Sequence, residues 1–294
     1  PPPPPPPPDF FYKQHTAYPI LSGLVGSEMC IRDRREGIKL RLKNKTAIIT
    51  GATGGIGAAT SKRFLEEGAN LVLVGRSEEK LTNLMNSLNN PTNAITCIAD
   101  SKDEKAISKS INDACEKFGS LDIVMANAGT EGIVKPLTEF TVEEFNDVIN
   151  INVVGVWLFM KYAFPVMQKQ QSGSFIAVAS TAGLIGFNGL CPYIASKHAV
   201  CGMVKTACLE NGPMNVRVNA LAPGPVDNRM MASLGEQLNP DDPSSVVDMV
   251  NSMVATNRYS TNEEIANLAL FLGSDESSNC SGSVYVCDGG YTAA

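Results

Sequence analysis

Residues 45–57 read KTAIITGATGGIG, a short β-rich run followed directly by a turn that contains three glycines. A helical pattern, AATSKRFLEEG, begins immediately after the turn. Glycines at 51, 55 and 57 permit a tight turn, close approach of the backbone to a pyrophosphate and close packing of the helix, whose N-terminus favours phosphate. Because the turn lies between a strand and a helix, it predicts a dinucleotide site. A purely structural turn is the alternative.

The rest of the chain repeats this alternation of strand and helix. Seven runs are predicted as strands, with helices between them: 45–50, 70–74, 94–98, 121–126, 174–179, 216–221 and 283–286. Such alternation is typical of a Rossmann-like α/β fold with a doubly wound parallel sheet. Neither an internal repeat nor a Pro/Gly/Ser linker divides residues 38–294, so we expect one domain there. Ligands of such sheets bind beyond the carboxyl ends of the strands.

The composition argues against several classes of protein. The 294 residues are 44% hydrophobic and 18% charged, which is typical of a globular protein with a sizeable core. A net charge of -6 argues against a nucleic-acid partner, and no run of eighteen apolar residues predicts a membrane span. The eight cysteines lack regular spacing, which favours thiols in a reducing, cytoplasmic compartment. With only His15 and His198, neither a histidine-based metal site nor a Ser-His-Asp triad is supported.

The first 37 residues differ from the remainder in composition and in hydrophobic pattern. They open with eight prolines and show no helix or strand period. Residues 23–34, GLVGSEMCIRDR, match the translation of a common sequencing-library adapter, and KQHTAY at 13–18 resembles a second adapter. We therefore expect residues 1–37 to be a non-native leader, with a disordered polyproline arm as the alternative. An intact coding exon upstream of Ile38 would contradict the first interpretation.

A phenol and an ammonium stand four positions apart in YIASK, residues 193–197. In a helix these positions share one face, so Lys197 is predicted to lie beside Tyr193. A neighbouring cation favours the phenolate, and the pair predicts a tyrosine pKa lowered from about 10 toward neutrality. Such a tyrosine can act as an acid and as a base. An exposed helix lysine beside a packing tyrosine is the alternative.

Residues after the second and third strands bear on the choice of dinucleotide. Sites for NAD usually carry an acidic residue at the end of the second strand, but this chain has Gly75 there, followed by Arg76. A guanidinium at this place can hold the 2′-phosphate of NADP, so we expect NADP(H) to be modestly preferred over NAD(H). A solvated arginine is the alternative. Asp100 is placed either to accept from the adenine amine or to cap the following helix.

Further motifs occur in a fixed order along the chain. They are NAG at 127–129, NVVG at 152–155, Ser180 thirteen positions before Tyr193, PGPV at 223–226 and SGSVYVCDGG at 281–290. Together with TGATGGIG and Lys197, they resemble the short-chain dehydrogenase/reductase family over nearly all of residues 39–294. Within that family the chain resembles the NAD(P)-dependent alcohol dehydrogenases.

The resemblance implies a catalytic tetrad. Tyr193 would be the proton donor and acceptor, and Lys197 would lower its pKa and bind the ribose. Ser180 would hydrogen-bond the reacting oxygen, and Asn152 would hold a water of the proton relay. These roles agree with the chemistry, because hydride transfer to a carbonyl leaves an alkoxide that needs an acid, and the reverse reaction needs a base. A hydroxyl donor aimed at the oxyanion stabilises it.

The resemblance also implies which residues contact the dinucleotide: Gly51, Thr53, Gly55, Ile56, Gly57, Arg76, Asp100, Ser101, Asn127, Ala128, Gly129, Tyr193, Lys197, Pro223, Gly224, Val226 and Asn228. Asn127 is expected to shape the cofactor site rather than to react. The family commonly has threonine where this chain has Asn228, which leaves the carboxamide contact open. No metal is expected.

The substrate is expected under residues 227–258, an insert after the sixth strand on the cofactor side. Methionines at 230, 231, 249 and 253 favour an adaptable apolar pocket, with helix packing as the alternative. No cluster of positive charge selects a carboxylate or phosphate there. We therefore expect a small apolar alcohol or ketone as substrate.

The predicted function is NAD(P)(H)-dependent interconversion of a secondary alcohol and a ketone. Reduction of 3-oxoacyl thioesters is an alternative, although the basic patch that a carrier protein needs is not evident. Enoyl reductases of this fold space the tyrosine and lysine further apart. A non-catalytic NAD(P)-sensing protein is the alternative from another class. The resemblance also implies a homo-oligomer, a tetramer or dimer, with helices at 141–170 and 190–210 as its interface.

Overall fold

The computed structural model describes residue 2 and residues 40–293. The prediction of a non-native leader at 1–37 concerns a segment that, apart from Pro2, lies outside the described residues. All seven predicted strands are present, with ends that differ from the prediction by at most two residues: β1 Thr46–Thr50, β2 Asn70–Gly75, β3 Ala94–Ile98, β4 Ile123–Ala126, β5 Gly173–Val178, β6 Val216–Pro223 and β7 Val284–Cys287. The strand predictions are therefore confirmed.

The strands form one parallel sheet in the order β3-β2-β1-β4-β5-β6-β7. Ile49 at the centre of β1 pairs with Leu73 of β2 on one side and with Met125 of β4 on the other. The direction of winding reverses between β1 and β4, which makes this the topological switch point. The turns that follow β1 and β4 leave the sheet side by side and open a crevice between them.

The helices that connect the strands are α1 Gly55–Glu66, α2 Glu78–Ser87, α3 Glu104–Phe118, α4 Val142–Ile149, α5 Gly155–Gln170, α6 Cys191–Asn211, α7 Arg229–Leu238, α8 Pro243–Met253 and α9 Asn262–Gly273. The predicted helix over 190–210 corresponds to α6. The predicted helix over 141–170 is interrupted, because a π-helical segment, Asn150–Val154, joins α4 to α5. Such a segment inserts an extra residue into the helical turn, and such segments are frequent at functional sites.

Both faces of the sheet are buried. Ile48 packs in a core with side chains of α3, α5 and α6, whereas its neighbour Ile49 packs in a second core with α1, α2 and α9. This two-sided burial explains why the strands are continuously apolar rather than alternating. Several helices begin at side-chain caps, as at Thr141 and Thr261, each of which forms a reciprocal capping box with a glutamate three residues later.

The helical run over 142–170 is long and apolar enough to cross a membrane by length and composition alone. Its buried side chains Leu158, Phe159 and Ala163 pack in the core on one face of the sheet. The run also contacts strands β4 and β5. These contacts are those of a core helix in a globular domain.

Candidate active site

A cavity of about 660 Å³ opens where strands β1 to β6 end. Its wall includes residues that follow each of these strands, from Arg76 after β2 to Pro223 at the end of β6. Tyr193 and Lys197 of α6 and several residues of α7 and α8 complete the wall. All predicted dinucleotide contacts except Gly57 line this cavity, and so does Ser180. The tertiary structure thus gathers residues from 51 to 228 around one crevice.

The glycine turn has the geometry that its sequence predicted. Gly51 has a φ of +59°, a conformation that favours glycine, and a Cβ added there would lie 2.9 Å from Cα of Ala128. A Cβ on Gly57 would lie 2.3 Å from the carbonyl oxygen of Gly51. Helix α1 begins at Gly54 without a side-chain cap and without an acidic residue in its first turn. Its first N–H groups are therefore suited to bind a pyrophosphate.

Asn127 ties the end of β4 to the glycine turn. Its Nδ2 donates to the carbonyl oxygens of Thr50, at 3.0 Å, and Gly51, at 3.2 Å. In return, the hydroxyl of Thr50 accepts from the backbone N–H groups of Asn127 and Ala128, each at 2.9 Å. This contact pattern fits the shaping role predicted for Asn127, because its amide hydrogens hold backbone rather than face the cavity.

Arg76 and Asp100 lie at the end of the cavity that is bounded by β2 and β3. Their side chains are 3.8 Å apart, and 74% of the Arg76 side chain is exposed. The carboxylate of Asp100 accepts from the backbone N–H of Lys102, whereas α3 is capped by Asp103. The capping alternative for Asp100 is therefore wrong. Lys80 also lines the cavity, a second basic residue that sequence reasoning missed.

Tyr193 and Lys197 share the buried face of α6, as their spacing predicted. The ammonium nitrogen of Lys197 lies 5.6 Å from the centre of the Tyr193 ring and donates to the carbonyl oxygen of Val178 at 2.9 Å. Both side chains are buried. The pair thus lies directly beside the end of β5, where Ser180 follows.

The predicted lowering of the tyrosine pKa is wrong for the protein groups alone. Burial raises the pKa of Tyr193 to about 12, although a hydrogen bond with Ser180 opposes the rise. Burial likewise lowers the pKa of Lys197 to about 8. The physical reason is that loss of water disfavours the charged form of both groups, and the nearby carboxylate of Glu131 raises the tyrosine pKa further. The sequence spacing showed the neighbour but not the depth of burial.

Ser180 and Asn152 take different positions at the site. The hydroxyl of Ser180 accepts from the backbone N–H of Ala182 at 3.1 Å, and its nearness to Tyr193 opposes the rise in the pKa of the phenol. Asn152 lies in the π-helical segment, is fully buried and does not line the cavity. Its Nδ2 donates to the carbonyl oxygen of Thr130 and to the hydroxyl of Ser196, and its Oδ1 accepts from the N–H of Thr130. Both amide hydrogens are used for bracing, and the water-holding role stays a prediction.

Comparisons with known proteins agree with this geometry. The profile of a family described as Enoyl-(Acyl carrier protein) reductase matches residues 51–292. Levodione reductase from Leifsonia aquatica is 34% identical over 257 residues, which covers 86% of this chain and 96% of that protein. The crystal structure of levodione reductase superposes with a TM-score of 0.84 at 33% identity, over 86% of this chain and 100% of that one.

The chain belongs to the short-chain dehydrogenase/reductase family. Two further relatives belong to the same family. Trans-4-hydroxycyclohexanecarboxylate dehydrogenase from Sinomonas cyclohexanicum is 34% identical over 262 residues, which covers 86% of this chain and 95% of that protein. The 3-oxoacyl-[acyl-carrier-protein] reductase FabG from Thermotoga maritima is 34% identical over 254 residues, which covers 85% of this chain and 99% of that protein. As a member of this family, the protein is an oxidoreductase that uses a nicotinamide dinucleotide.

The departure from the family pattern at Asn228 has a local explanation. Its Oδ1 accepts from the backbone N–H of Met230 at 2.9 Å, so the side chain caps α7. Asparagine and threonine are both residues that cap helices well. Met230, Met231, Met249 and Met253, which the sequence placed over the substrate, all line the cavity.

Besides Lys80, sequence reasoning missed three residues at or beside the short-chain dehydrogenase/reductase site. Glu131 is a buried carboxylate whose charge acts on Tyr193, and it stands just after the NAG motif. Phe187 and Tyr291 stack at 5.9 Å between ring centres and both line the cavity. The signal for Glu131 was an acidic residue between two glycines at a strand end. Within residues 40–293, no group of three or more potential metal ligands occurs.

Proposed function

We propose that this oxidoreductase interconverts a cyclic, largely apolar ketone and the corresponding secondary alcohol, with NADP(H) preferred over NAD(H). The observation that carries this proposal is the environment of the Tyr193 hydroxyl. It is buried in an apolar cluster, lies near Ser180 and is 3.8 Å from the sulfur of Met230. A proton donor and an oxyanion donor thus face a pocket that suits an uncharged substrate.

The shape of the wall favours a ring-shaped substrate. Phe187 and Tyr291 are stacked with an interplanar angle of 19° and present flat apolar surface to the cavity. Leu190, Leu234 and Met230 belong to the same apolar cluster as Tyr193. A rigid ring loses little conformational entropy in such a slot, whereas a long flexible chain loses more. The name of the relative trans-4-hydroxycyclohexanecarboxylate dehydrogenase points in the same direction.

Each member of the tetrad has a role that follows from its contacts. Tyr193 gives a proton to the alkoxide during ketone reduction and takes one during alcohol oxidation. Its pKa of about 12 keeps it protonated at neutral pH, the form that reduction requires. Ser180 donates to the reacting oxygen, and Lys197, tied to the carbonyl of Val178, keeps a positive charge beside the phenol below pH 8. Asn152 braces this arrangement from the π-helical segment.

The residues that would hold the dinucleotide fit it in size and chemistry. When bound, the nicotinamide supplies or accepts the hydride, and its oxidised form carries a positive charge. The N-terminus of α1 and the turn at Gly51 would receive the pyrophosphate. Arg76 and Lys80 would face the 2′-phosphate of NADP, and the absence of an acidic side chain at Gly75 removes the group that selects NAD.

Reduction of a 3-oxoacyl thioester is supported less well, despite the FabG relative. A carrier protein needs a cluster of basic residues around the substrate mouth. Among the described residues of the cavity wall, Arg76 and Lys80 lie after β2, Lys197 is buried, and Arg229 is paired with Glu131. The spacing of Tyr193 and Lys197 also differs from that of the enoyl reductases.

The remaining features of the proposal concern the whole molecule. We propose a single catalytic domain over 38–294, a non-native leader before it, and a cytoplasmic homotetramer. Cytoplasmic placement is supported by the cysteines, since all seven within the described range are free thiols. Exposed apolar side chains on α5 and α6, Trp157 and Leu209, support these helices as a subunit interface.

Oxidation of NADPH by the purified protein with a panel of ketones tests the proposal. Cyclohexanones should be reduced with a higher kcat/KM than acyclic ketones of equal carbon number. Acetoacetyl thioesters should be poor substrates, and the same panel with NADH should give lower activity. A protein that binds the dinucleotide but reduces no ketone would favour the sensor alternative, and preference for the thioester would favour the FabG-like one.

A further inference from the structure

Helix α7 carries a polar stripe at every fourth position: Arg229, Ser233 and Gln237. Positions i, i+4 and i+8 lie along one face of a helix. The side chains of Arg229 and Gln237 hydrogen-bond the loop at residues 131–134, which follows the NAG motif, and Ser233 lies between them. The loop and the helix are about one hundred residues apart in the chain, so this contact exists only in the folded protein.

Arg229 of the stripe forms a bidentate ion pair with Glu131. The guanidinium of Arg229 donates to both carboxylate oxygens of Glu131, at 2.9 and 3.0 Å. The side chain of Glu131 is only 5% exposed, whereas that of Arg229 is 71% exposed. Burial would raise the pKa of Glu131, but hydrogen bonds from Arg229, from its own backbone and from Ser233 hold the pKa below its ordinary value. Glu131 is therefore an ionised group that depends on α7 for its partners.

The far end of the stripe is joined to the same loop by an amide. The Oε1 of Gln237 accepts from the backbone N–H of Val134 at 2.9 Å, and its Nε2 donates to the carbonyl oxygen of Gly132 at 3.4 Å. Ser233 lies between the two contacts and accepts from Gln237 at 3.3 Å. The helix is thus attached to the loop along two turns of its length.

The neighbouring face of α7 is apolar and covers the site. Met230, Leu234 and Leu238 also repeat every fourth position, and all three line the cavity. The sulfur of Met230 lies 3.8 Å from the Tyr193 hydroxyl. In contrast to core helices, α7 buries only Leu234 and Gly235. Because so little apolar surface holds the helix, its polar contacts contribute a large share of its attachment.

We propose that the loop at 131–134, through the Glu131–Arg229 ion pair and the hydrogen bonds of Gln237, latches α7 over the substrate pocket and so sets the position of Met230 against Tyr193. Glu131 is then a positioning residue, because it acts through the helix and not on the substrate. Opening of the latch exposes the apolar face of α7 and the reacting groups to solvent. Closing it shields them, as lids over active sites do.

The latch is tested with Glu131→Gln, Arg229→Gln, the double variant and the conservative Arg229→Lys. The matched control is Arg63→Gln, which breaks a pair between a partly exposed arginine and the mostly buried Glu67, at 2.9 Å, away from the cavity. Three quantities are measured on the full chain: amide hydrogen exchange of residues 229–238, kcat and KM for a cyclohexanone, and NADPH affinity. Exchange reports the helix even without turnover, so a failure of the latch and a failure of the proposed function are distinguishable.

Both single glutamine variants should speed exchange across α7 and lower kcat/KM by about tenfold or more, mainly through KM, while NADPH affinity stays within about twofold. The double variant should lose much less than the product of the two single losses, because the pair acts as a unit. The exchange rate and kcat/KM of Arg229→Lys should lie between those of the wild type and those of Arg229→Gln, since lysine keeps the charge but not the bidentate geometry. Arg63→Gln should change neither exchange in α7 nor KM. Unchanged exchange in α7 in both glutamine variants, or losses that simply multiply, would overturn the proposal.

Discussion

The sulfur of Met230 lies 3.8 Å from the hydroxyl of Tyr193. This contact joins α7, a helix that buries few residues, to the core helix α6. Tyr193 belongs to α6, whose buried face packs against the sheet, so its position is fixed by the fold. Met230 belongs to α7, which buries little. A ketone bound near this hydroxyl would therefore meet one rigid wall and one adaptable wall, and a thioether adapts its shape readily.

Replacing Tyr193 with phenylalanine should remove the acid and base while leaving the cavity shape nearly intact. We expect kcat for ketone reduction to fall by about 10²- to 10⁴-fold, the usual contribution of a positioned proton donor. NADPH affinity, measured by fluorescence titration, should stay within about threefold. The control is Tyr162→Phe, which changes a partly buried tyrosine that hydrogen-bonds Glu104 and does not line the cavity. Undiminished turnover in the Tyr193 variant would move the chemistry to another group.

The buried ammonium of Lys197 should make stability rise with pH. Its pKa is about 8 in the folded protein against 10.5 in the unfolded chain, so between these values the unfolded state holds the additional proton. Stability should therefore increase by up to about 1.4 kcal/mol per pH unit from pH 8 toward pH 10, and be unchanged by this group below pH 8.

Urea unfolding at several pH values, compared with Lys197→Met, isolates this contribution. The rise should be absent from the variant and present in Lys62→Met, which removes an exposed lysine on α1. Measurements should stop at pH 10, because the raised pKa of Tyr193 makes stability fall between 10 and 12. Parallel pH curves for the wild type and Lys197→Met would contradict the prediction.

Arg76 should recognise the 2′-phosphate of NADP. Its side chain is largely exposed, and its ion pair with Asp100 is long, at 3.8 Å. The guanidinium can therefore turn toward a more strongly charged partner. Arg76→Ser should weaken NADPH binding by about 10- to 100-fold, as expected for a hydrogen bond to a charged group, and should leave NADH affinity nearly unchanged. Lys80→Met should show the same selectivity with a smaller loss. Equal losses for both dinucleotides would remove the basis for the NADP preference.

The glycine turn should not tolerate a methyl group at position 57. A Cβ there would lie 2.3 Å from the carbonyl oxygen of Gly51 and 2.8 Å from Cα of Ala52, and both are backbone atoms that cannot turn aside. Gly57→Ala should lower stability by about 1 to 3 kcal/mol and weaken dinucleotide binding by at least about tenfold. Gly212→Ala is the control, because a Cβ at that glycine meets no atom within 4 Å. Binding and stability equal to those of the control would show that the turn is not closely packed.

The strands and the site motifs could be predicted because they depend on neighbours in the chain. Runs such as SFIAVA at 174–179 are continuously apolar after the first residue, and this pattern is visible in the letters alone. The glycines of the turn and the four-residue spacing of Tyr193 and Lys197 are likewise local. Where contacts are distant, the predictions were incomplete: Glu131 and Arg229 are 98 positions apart, and nothing in either segment indicates the other.

The sequence by itself determined the parallel sheet, the glycine turn at the end of β1 and the face of α6 that carries Tyr193 and Lys197. Local spacing and apolar period specify these features without reference to the rest of the chain. Only the tertiary structure decided the charge state of that pair and the helix that covers it. Burial and ion pairing depend on which distant segments surround a group, and for Tyr193 the exclusion of water raises the pKa that the local spacing alone predicted to be lowered.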